Sequence, residues 1–543
     1  MVTSVRSGGR LPVDAGQRLL GMLPPLVVAL AVTLIIGPGL MPDVGFWDTG
    51  EFQTILPIMG TAHPTGYPTY VLLGFVANLL LAPLGEEAFR INLLSLLCVA
   101  VAAAATVRLV ARLTGVVPVA MAAGLGVALA PYTWRLATHA DPHTLHLALV
   151  AILLVFLVRW EGALRAHEGT ADRWLVGAAI VFGLSVGNHS LTLLLALPVG
   201  LYVLSVQPRI LLRPRFLAVC TLALVGTIMA VYLELPLRAG PFRAPLVYAK
   251  PDTWDGFWYI ALAEQFRGAL NDPLGDLARK VGELSGLTVA QFGFLAPLIP
   301  VGFLATAFRH WRYALLTGSA MVITLIFNAS YANADISRYY LGPSLWAWTW
   351  LAVLAGVLSE QLAGAVAGES AGEAHGEPGT TPVGSGSWRA GGPGGATLGA
   401  LLAGVIALAL LVPTATDFSS RAEQADLSHD TAARRWVTAA LSEIEADAVV
   451  VSWWSTSTVL WYAQHVDGLR PDLTIVDDRT RLDLDYGEAT DVIARFLDTR
   501  PVYVIRANEY DLDLVLALYD LEPLAGESAS NVYRVLGPRG TGG

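Results

Sequence analysis

Charge is what this chain has least of. Only 14 % of its 543 residues are Asp, Glu, Lys or Arg, whereas 54 % are hydrophobic, and mean hydropathy is +0.56. Soluble globular domains carry about 25 % charged residues, so a soluble fold is excluded and an integral membrane protein remains. Cysteine is scarcer still. Cys98 and Cys220 both lie inside apolar stretches, which excludes a disulfide framework and leaves them as packing residues. A net charge of −10 points to no nucleic-acid partner. No short signal peptide with a small-residue cleavage site is evident, and Arg6, Arg10 and Arg18 before the first long apolar run suit an uncleaved anchor with a cytoplasmic N-terminus. No internal repeat appears, which weighs against a transporter built from inverted halves. No P-loop, dinucleotide fingerprint or nucleophile elbow occurs in a convincing context.

What the chain does have is long apolar runs. A membrane span needs roughly 20 mostly apolar residues. Candidates are Leu20–Met41, Ile91–Leu113, Val116–Thr133, His143–Val158, Trp174–Gly187, Ser190–Val206, Phe216–Leu233, Val289–Phe308, Tyr313–Asn328, Tyr339–Leu358 and Thr397–Val412. Tyr67–Leu84 fits either a span or a helix lying on the membrane surface. Lys and Arg favour the cytoplasmic side of short loops, and that bias decides between the two. With Tyr67–Leu84 on the surface, Arg108, Arg112, the 159–173 loop, Arg209, Arg213, Arg215, Arg309 and Arg312 all fall inside. With it crossing, all of them move outside. The expected architecture is therefore a polytopic α-helical membrane protein of about eleven spans.

The expected domains are a transmembrane domain over 1–359 with an exterior acidic loop at 42–90, a Gly/Ala/Ser/Glu-rich cytoplasmic linker at 360–396, a last span at 397–413 and an exterior domain at 414–543. In that last domain, Asp447–Trp453, Leu473–Asp477, Pro501–Ala507 and Asn531–Leu536 read as strands. Thr431–Glu445, Thr456–His465, Glu488–Leu497 and Asp511–Tyr519 read as helices, so the domain is α/β.

On this topology the exterior edge gathers the polar chemistry. Immediately after the first run come Trp47-Asp48-Thr49-Gly50-Glu51-Phe52 and then Ala62-His63-Pro64-Thr65-Gly66-Tyr67-Pro68. Ionisable groups beside a membrane core are costly, and their presence is a functional signal. Asp48 and Glu51, three residues apart, share one helix face and suit a general base with a partner that positions an acceptor. The bland alternative is a capping box. His63 is either a ligand to a phosphate or carboxylate, or a loop residue that fixes the turn before Pro64.

Further along, Asp141 before Pro142 is a good helix N-cap. With His139, His143 and His146 it also has the composition of a metal site. Asn188 and His189 end an apolar run on the same side and suit either a site or glue between helices. Asp335, Arg338 and Tyr339 form another exterior cluster. Arg338 is a candidate grip for a lipid phosphate, with Arg90 and Arg135 as rivals. The 234–288 loop interleaves Arg238, Arg243, Lys250 and Arg267 with Trp254, Trp258 and Tyr259, a composition suited to the headgroup level.

These motifs together resemble a known family. An acidic loop after the first span, a surface helix, then a span ending in Arg-x-x-x-Arg is similar to the GT-C membrane glycosyltransferases. Trp-Asp-Thr-Gly-Glu-Phe followed by Ala-His-Pro-Thr-Gly-Tyr-Pro resembles the protein O-mannosyltransferase family catalogued as domain of unknown function 2723. Arg90-Ile91-Asn92-Leu93-Leu94-Ser95, Gly187-Asn188-His189, Trp461-Tyr462 and Gly468-Leu469-Arg470-Pro471-Asp472-Leu473 extend the likeness into the C-terminal domain.

The resemblance implies a GT-C-like fold and inverting transfer of a sugar, mannose in this family, from a polyprenyl-phosphate donor. The acceptor is a protein or glycan on the exterior face of the cell membrane. Asp48 is then the catalytic base, with Glu51 its rival. His63, Tyr67, Arg90, Arg135, Asp141, His143, Asn188, His189, Asp335, Arg338 and Tyr339 are the substrate-binding candidates. No cofactor is implied, no residue is assigned to a metal, and dependence on a divalent ion is left open. The chain departs from the family pattern at the second acidic motif, where Asp141 is shorter than the usual glutamate and His143 stands in an aromatic position. The competing expectation from composition is a transporter or flippase of lipid-linked or small polar substrates.

Overall fold

The computed structural model describes residues 21–332, 335–372, 393–505, 509–524 and 531–540. Arg6, Arg10, Arg18 and most of the expected linker lie outside the described residues.

Among the described residues, seven helices are long and apolar enough to cross a membrane, and an eighth is counted if one bent pair is a single span. The seven are Glu87–Thr114, Pro142–Arg165, Pro214–Ala239, Leu277–Arg309, Trp311–Ser330, Ile336–Ala365 and Leu398–Thr416. Each covers a run expected from sequence. The Val116–Thr133 run is the bent pair, Val117–Ala128 and Pro131–Ala137, at 65°. Pro131 has no N–H to donate and opens the second helix.

The remaining expected runs, and the surface stretch, form shorter or more polar helices among the described residues. The first run becomes a helix of only 14 residues, Leu23–Ile36, ending in a Gly-Pro-Gly turn. Ser190–Val206 begins as a 3₁₀ turn and contributes 11 α-helical residues. Ala171–Asn188 carries Asp172 and Arg173 in its first turn. The Tyr67–Leu84 stretch forms a 13-residue helix, Pro68–Leu80. At 1.5 Å per residue it spans about 20 Å, shorter than a hydrocarbon core of about 30 Å.

Glu87–Thr114 is the hub of the bundle, packing against Leu23–Ile36, Val117–Ala128 and Pro142–Arg165. Ile336–Ala365 is the most enclosed span, with 78 % of its apolar window inside the protein, whereas Pro214–Ala239 has 11 % and faces outward. The helix that begins at Leu341 continues to Gly372, into the start of the segment read as a linker; its Ala/Glu-rich composition favours helix over coil.

The C-terminal domain is α/β, with a five-stranded sheet in the order β2-β1-β3-β5-β4. β1 (Val449–Val451) pairs in parallel with β2 (Thr474–Val476) and β3 (Val502–Ile505), and β5 (Val532–Pro538) runs antiparallel to β3 and to β4 (Tyr519–Pro523). β4 has no counterpart in the sequence expectation. Its Asp520, Glu522 and Pro523 suppress a strand signal, and it survives as an edge strand.

The domain docks on the acidic loop. Helix Trp454–His465 packs against helix Trp47–Ile58, with Thr54 Oγ1 donating to the Thr458 carbonyl at 3.2 Å. Gly50 lies between them. A Cβ there would meet the Gly45 carbonyl oxygen at 2.2 Å and Thr458 Oγ1 at 2.9 Å, so only glycine allows this approach. Two ion pairs add to the seam, Arg434 to Asp43 at 2.9 Å and Arg243 to Asp483 at 2.5 Å. Gly50→Val is expected to cost about 1–3 kcal/mol through overpacking, seen as a lower thermal-inactivation midpoint of the purified protein.

Candidate active site

The acidic loop, the Asp141 turn, the entry to helix Leu341–Gly372 and the C-terminal domain meet around one cavity of about 670 Å³. Asp48, His63, Tyr67, His139, Asp141, His143, His189, Asp335, Arg338 and Tyr339 all line it, joined by Trp47, Arg267 and Trp454. Glu51, Arg90, Arg135 and Asn188 do not.

Asp48 sits in the first turn of helix Trp47–Ile58, whose N-cap Phe46 makes no side-chain cap; the capping-box alternative is therefore not realised. The Asp48 carboxylate instead meets Arg338 Nη1 at 3.2 Å and accepts from the Trp454 indole N–H at 3.2 Å. Arg338 is the electrostatic centre of the cavity. Its other contacts are Asp335 at 3.2 Å and Asp141 at 3.8 Å. Its Nε is buried and has no hydrogen-bond partner among the described residues.

The Asp141 turn is set from behind. Asn92 Oδ1 accepts the Ala140 N–H at 2.8 Å and the Gln53 amide at 2.9 Å, and Ser95 Oγ accepts the Asp141 N–H at 3.0 Å. The Arg90-to-Ser95 motif thus earns its place through Asn92 and Ser95. Arg90 itself corrects an expectation. It donates to the Gly85 and Asn78 carbonyls and pairs with Glu87 at 2.9 Å, bracing a surface turn outside the cavity.

Asp141 N-caps helix Pro142–Arg165 through the His143 N–H at 2.7 Å, and the same oxygen meets His143 Nδ1 at 2.9 Å. Burial works to raise the Asp141 pKa, but His143, Arg338 and His139 outweigh it and hold the carboxyl below its ordinary range. The His143 Nε2 is left buried and without a partner among the described residues, with the His189 ring 4.9 Å and the Tyr339 ring 5.4 Å away. Asn188 donates to the Pro142 carbonyl at 3.0 Å and acts as glue. Arg135 reaches the site only through Asp335 at 3.2 Å.

Glu51 is the second correction. It is fully buried and receives the His63 N–H at 2.9 Å, the His63 Nδ1 and Arg479 Nη1 at 3.1 Å. A carboxylate so completely paired anchors the loop and fixes the His63 ring. Burial works to lower the His63 pKa, but Glu51, with Asp48 adding to it, overcomes this and raises it above 6.5. Gly66 at φ 82° completes the turn, and a Cβ there would lie 2.8 Å from Ile260.

Arg479 and Trp454 carry no local sequence signal. Arg479 is fully buried, donates to the Thr61 carbonyl and lies over the rings of Tyr248 and Trp461 at 5.3 and 5.2 Å. Burial lowers its pKa. Only the fold brings a residue of the C-terminal domain to a carboxylate more than 400 positions earlier.

His139, Asp141, His143 and His146, which share the composition of a metal site, do not converge on one. Asp141 is committed to His143, and His146 faces Thr192 at 3.5 Å. Among the described residues, the group able to hold an ion is Asp48, Glu51 and His63, with one ligand atom of each within 4.8 Å of the others. In the described state Arg479 and His63 engage Glu51 and Arg338 engages Asp48, so a divalent ion would have to displace that pairing.

Residues 48–210 match the family model described as the protein O-mannosyl-transferase TMEM260 N-terminal domain. This stretch is similar to that domain. It contains Asp48, His63, Asp141, His143 and His189 of the cavity. A protein O-mannosyl-transferase TMEM260 of Mus musculus is 30 % identical over 226 residues, covering 40 % of this chain and 31 % of the relative. The match therefore spans about a third of that relative's length. The whole chain is similar to ArnT of Cupriavidus metallidurans, solved bound to undecaprenyl phosphate, with TM-score 0.59, 15 % identity and coverage of 96 % of this chain and 98 % of the other. An oligosaccharyltransferase of Archaeoglobus fulgidus, in complex with zinc and sulfate, gives TM-score 0.52 at 13 % identity, covering 89 % of this chain and 68 % of the other. At such identities the likeness is one of fold, and the fold of this multi-pass membrane protein is GT-C-like.

Arg479→Leu strands the Glu51 charge and is expected to cost about 3–5 kcal/mol, largely recovered in the double variant with Glu51→Gln; thermal-inactivation midpoints of the three proteins check it. Because the folded His63 pKa is raised, its stabilising contribution is full below pH 6.5 and is lost as pH climbs through the raised value. The thermal midpoint is expected to fall across that window, and the fall to flatten in His63→Gln.

Proposed function

We propose that this chain is an inverting, GT-C-type glycosyltransferase that moves a sugar, mannose on the family resemblance, from a polyprenyl-phosphate donor to a protein or glycan hydroxyl. The cavity opens on the exterior side of the cell membrane in this reading, with residues 414–543 on the same side and 360–396 within the cytoplasm. One observation carries the proposal. Asp48 and Arg338 stand 3.2 Å apart in a single cavity, with Arg338 Nε buried and unpartnered among the described residues. That pair supplies a base and a phosphate grip within reach of one another.

In the proposed reaction the acceptor hydroxyl oxygen attacks the anomeric carbon of the donor. A glycosidic bond forms on one face of the sugar while the bond to the phosphate oxygen breaks on the other. Asp48 takes the hydroxyl proton, and the polyprenyl phosphate leaves with the bonding pair. Phosphate is a competent leaving group, so no acid is required on that side. Arg338 stabilises the charge that grows on it, aided by Arg267, which also lines the cavity and has Glu264 3.9 Å away. Tyr67, His143, His189 and Tyr339 offer ring faces and a free imidazole nitrogen to the sugar. Trp454 holds Asp48 in place through its indole N–H.

Support for the donor class comes from the whole-chain likeness to a protein solved with undecaprenyl phosphate, and for the sugar and acceptor from the match of residues 48–210 to the protein O-mannosyl-transferase N-terminal domain. A transporter reading finds less support. Among the described residues there is a single bent pair of helices rather than matched broken helices in two halves.

Asp48→Asn is expected to slow transfer by about 10²–10⁴-fold at an unchanged thermal midpoint, measured with purified protein, a panel of polyprenyl-phosphate sugars and an acceptor peptide. Glu51→Gln is expected to lower the midpoint first. Full activity in Asp48→Asn would overturn the assignment.

A further inference from the structure

At the end of the bundle opposite the Asp48 cavity lies a second polar concavity. Helix Pro142–Arg165 begins beside Asp141 and ends here, and helix Trp311–Ser330 starts here and ends near Tyr331 of the cavity. Its 24 and 20 residues correspond to about 36 and 30 Å, a full hydrocarbon thickness.

This bowl, of about 310 Å³, is lined by Arg112, Arg165, Arg309 and Arg312 with Glu161 as its one carboxylate. Glu161 is divided among Arg165 at 2.5 Å, Arg312 at 3.2 Å and the Tyr202 hydroxyl at 2.7 Å. Arg309 leans on Glu360 at the rim. The Arg112 side chain, in the last turn of its helix, has neither a hydrogen bond nor an ion pair with any described residue. The bowl therefore keeps an excess of guanidinium charge that the protein itself does not neutralise.

Next to it runs a groove of opposite character. About 500 Å³ in volume, it lies between helices Ile299–Arg309 and Trp311–Ser330 and is almost wholly apolar. Its floor is Phe303, whose ring lies where a Cβ on Gly318 would come within 2.8 Å. One wall follows Trp311, Leu315, Gly318 and Val322 along a single helix face, about 16 Å at 1.5 Å per residue. Trp311 lines both the bowl and the groove, and the Arg312 guanidinium sits 4.8 Å above its ring.

We propose that bowl and groove are one binding site for an anionic phospholipid of that leaflet, the phosphate headgroup in the arginine bowl and an acyl chain along the groove. Charge complementarity selects the headgroup, since basic pockets between membrane helices attract anionic lipids. The adjoining apolar channel selects a lipid over a free anion. Arginine at these positions also satisfies the ordinary cytoplasmic bias of loops, but that bias does not require an apolar groove that shares Trp311 with the same bowl. The site shares no residue with the Asp48 cavity and stands whether or not sugar transfer is the activity.

The test uses the full chain, purified in detergent, with phosphatidylglycerol, phosphatidylcholine or inorganic phosphate added. Native mass spectrometry counts bound lipid and a thermal scan reads stability. Phosphatidylglycerol is expected to remain bound at one copy and to raise the thermal midpoint by about 5 °C; phosphatidylcholine and inorganic phosphate are expected to do neither. The Arg112→Gln/Arg165→Gln variant is expected to weaken phosphatidylglycerol retention at least about tenfold, the loss of one or two charge-assisted contacts. Val322→Phe narrows the groove from a lipid-facing position and is expected to weaken it without touching a charge, so it decides the matter if the arginine variant fails to fold. Equal retention of phosphatidylcholine, full stabilisation by phosphate alone, or undiminished phosphatidylglycerol retention in a folded variant would each overturn the proposal.

Discussion

A buried charge fixes this architecture. Glu51 and Arg479 are both fully inaccessible, one on the loop that follows the first helix and the other in the C-terminal domain. Neither tolerates burial alone, because a lone ion in such a place costs several kcal/mol, whereas the pair with its surrounding hydrogen bonds is sustainable. The loop and the domain therefore fold against one another or leave a charge stranded. Gly50 lets the two helices close up, and the aromatic rings of Tyr248 and Trp461 sandwich the guanidinium so that water has no path to it. Once this seam is closed, Trp454 is delivered to Asp48 and His63 is held by Glu51.

The cavity inherits its character from that seam. Asp48 and Glu51 are three residues apart yet have opposite fates. Glu51 turns into the protein and is saturated with donors. Asp48 turns into a space shared with Arg338, which retains an unused donor. The second carboxylate, Asp141, is spent on a helix cap and on orienting His143, and the free nitrogen that results faces the same space. Two short turns, each starting a helix, thus present one carboxylate and one imidazole from the helical bundle. Both sit at helix entrances, where backbone groups are available for capping and side chains are still near the surface.

Much of this was legible in the chain, for reasons that are local. Apolar runs of span length and the cationic bias of loops are properties of contiguous residues, and they place Asp48, Asp141 and Arg338 on a common edge from sequence alone. The alternating elements after residue 414 gave an α/β domain, apart from the acidic edge strand Tyr519–Pro523. What was not legible is pairwise and distant. Spacing alone makes Asp48 and Glu51 equivalent, and only the arrival of Arg479 separates them. Arg90 has the charge of a phosphate ligand, but its partners Asn78, Gly85 and Glu87 are neighbours that absorb it. Apolar composition also does not reveal where a Gly-Pro-Gly turn or a 3₁₀ segment will shorten a helix, as in the first run and in Ser190–Val206.

The central claim is that Arg338, with Asp48 beside it, receives the phosphate of a polyprenyl donor. The most direct measurement is an experimental structure of the full chain in lipid with a polyprenyl phosphate bound. The account predicts the phosphate in the cavity within hydrogen-bonding distance of the Arg338 guanidinium, with its chain leaving toward the bilayer. A phosphate bound elsewhere, with Arg338 still engaged only by Asp48, Asp141 and Asp335, would contradict it.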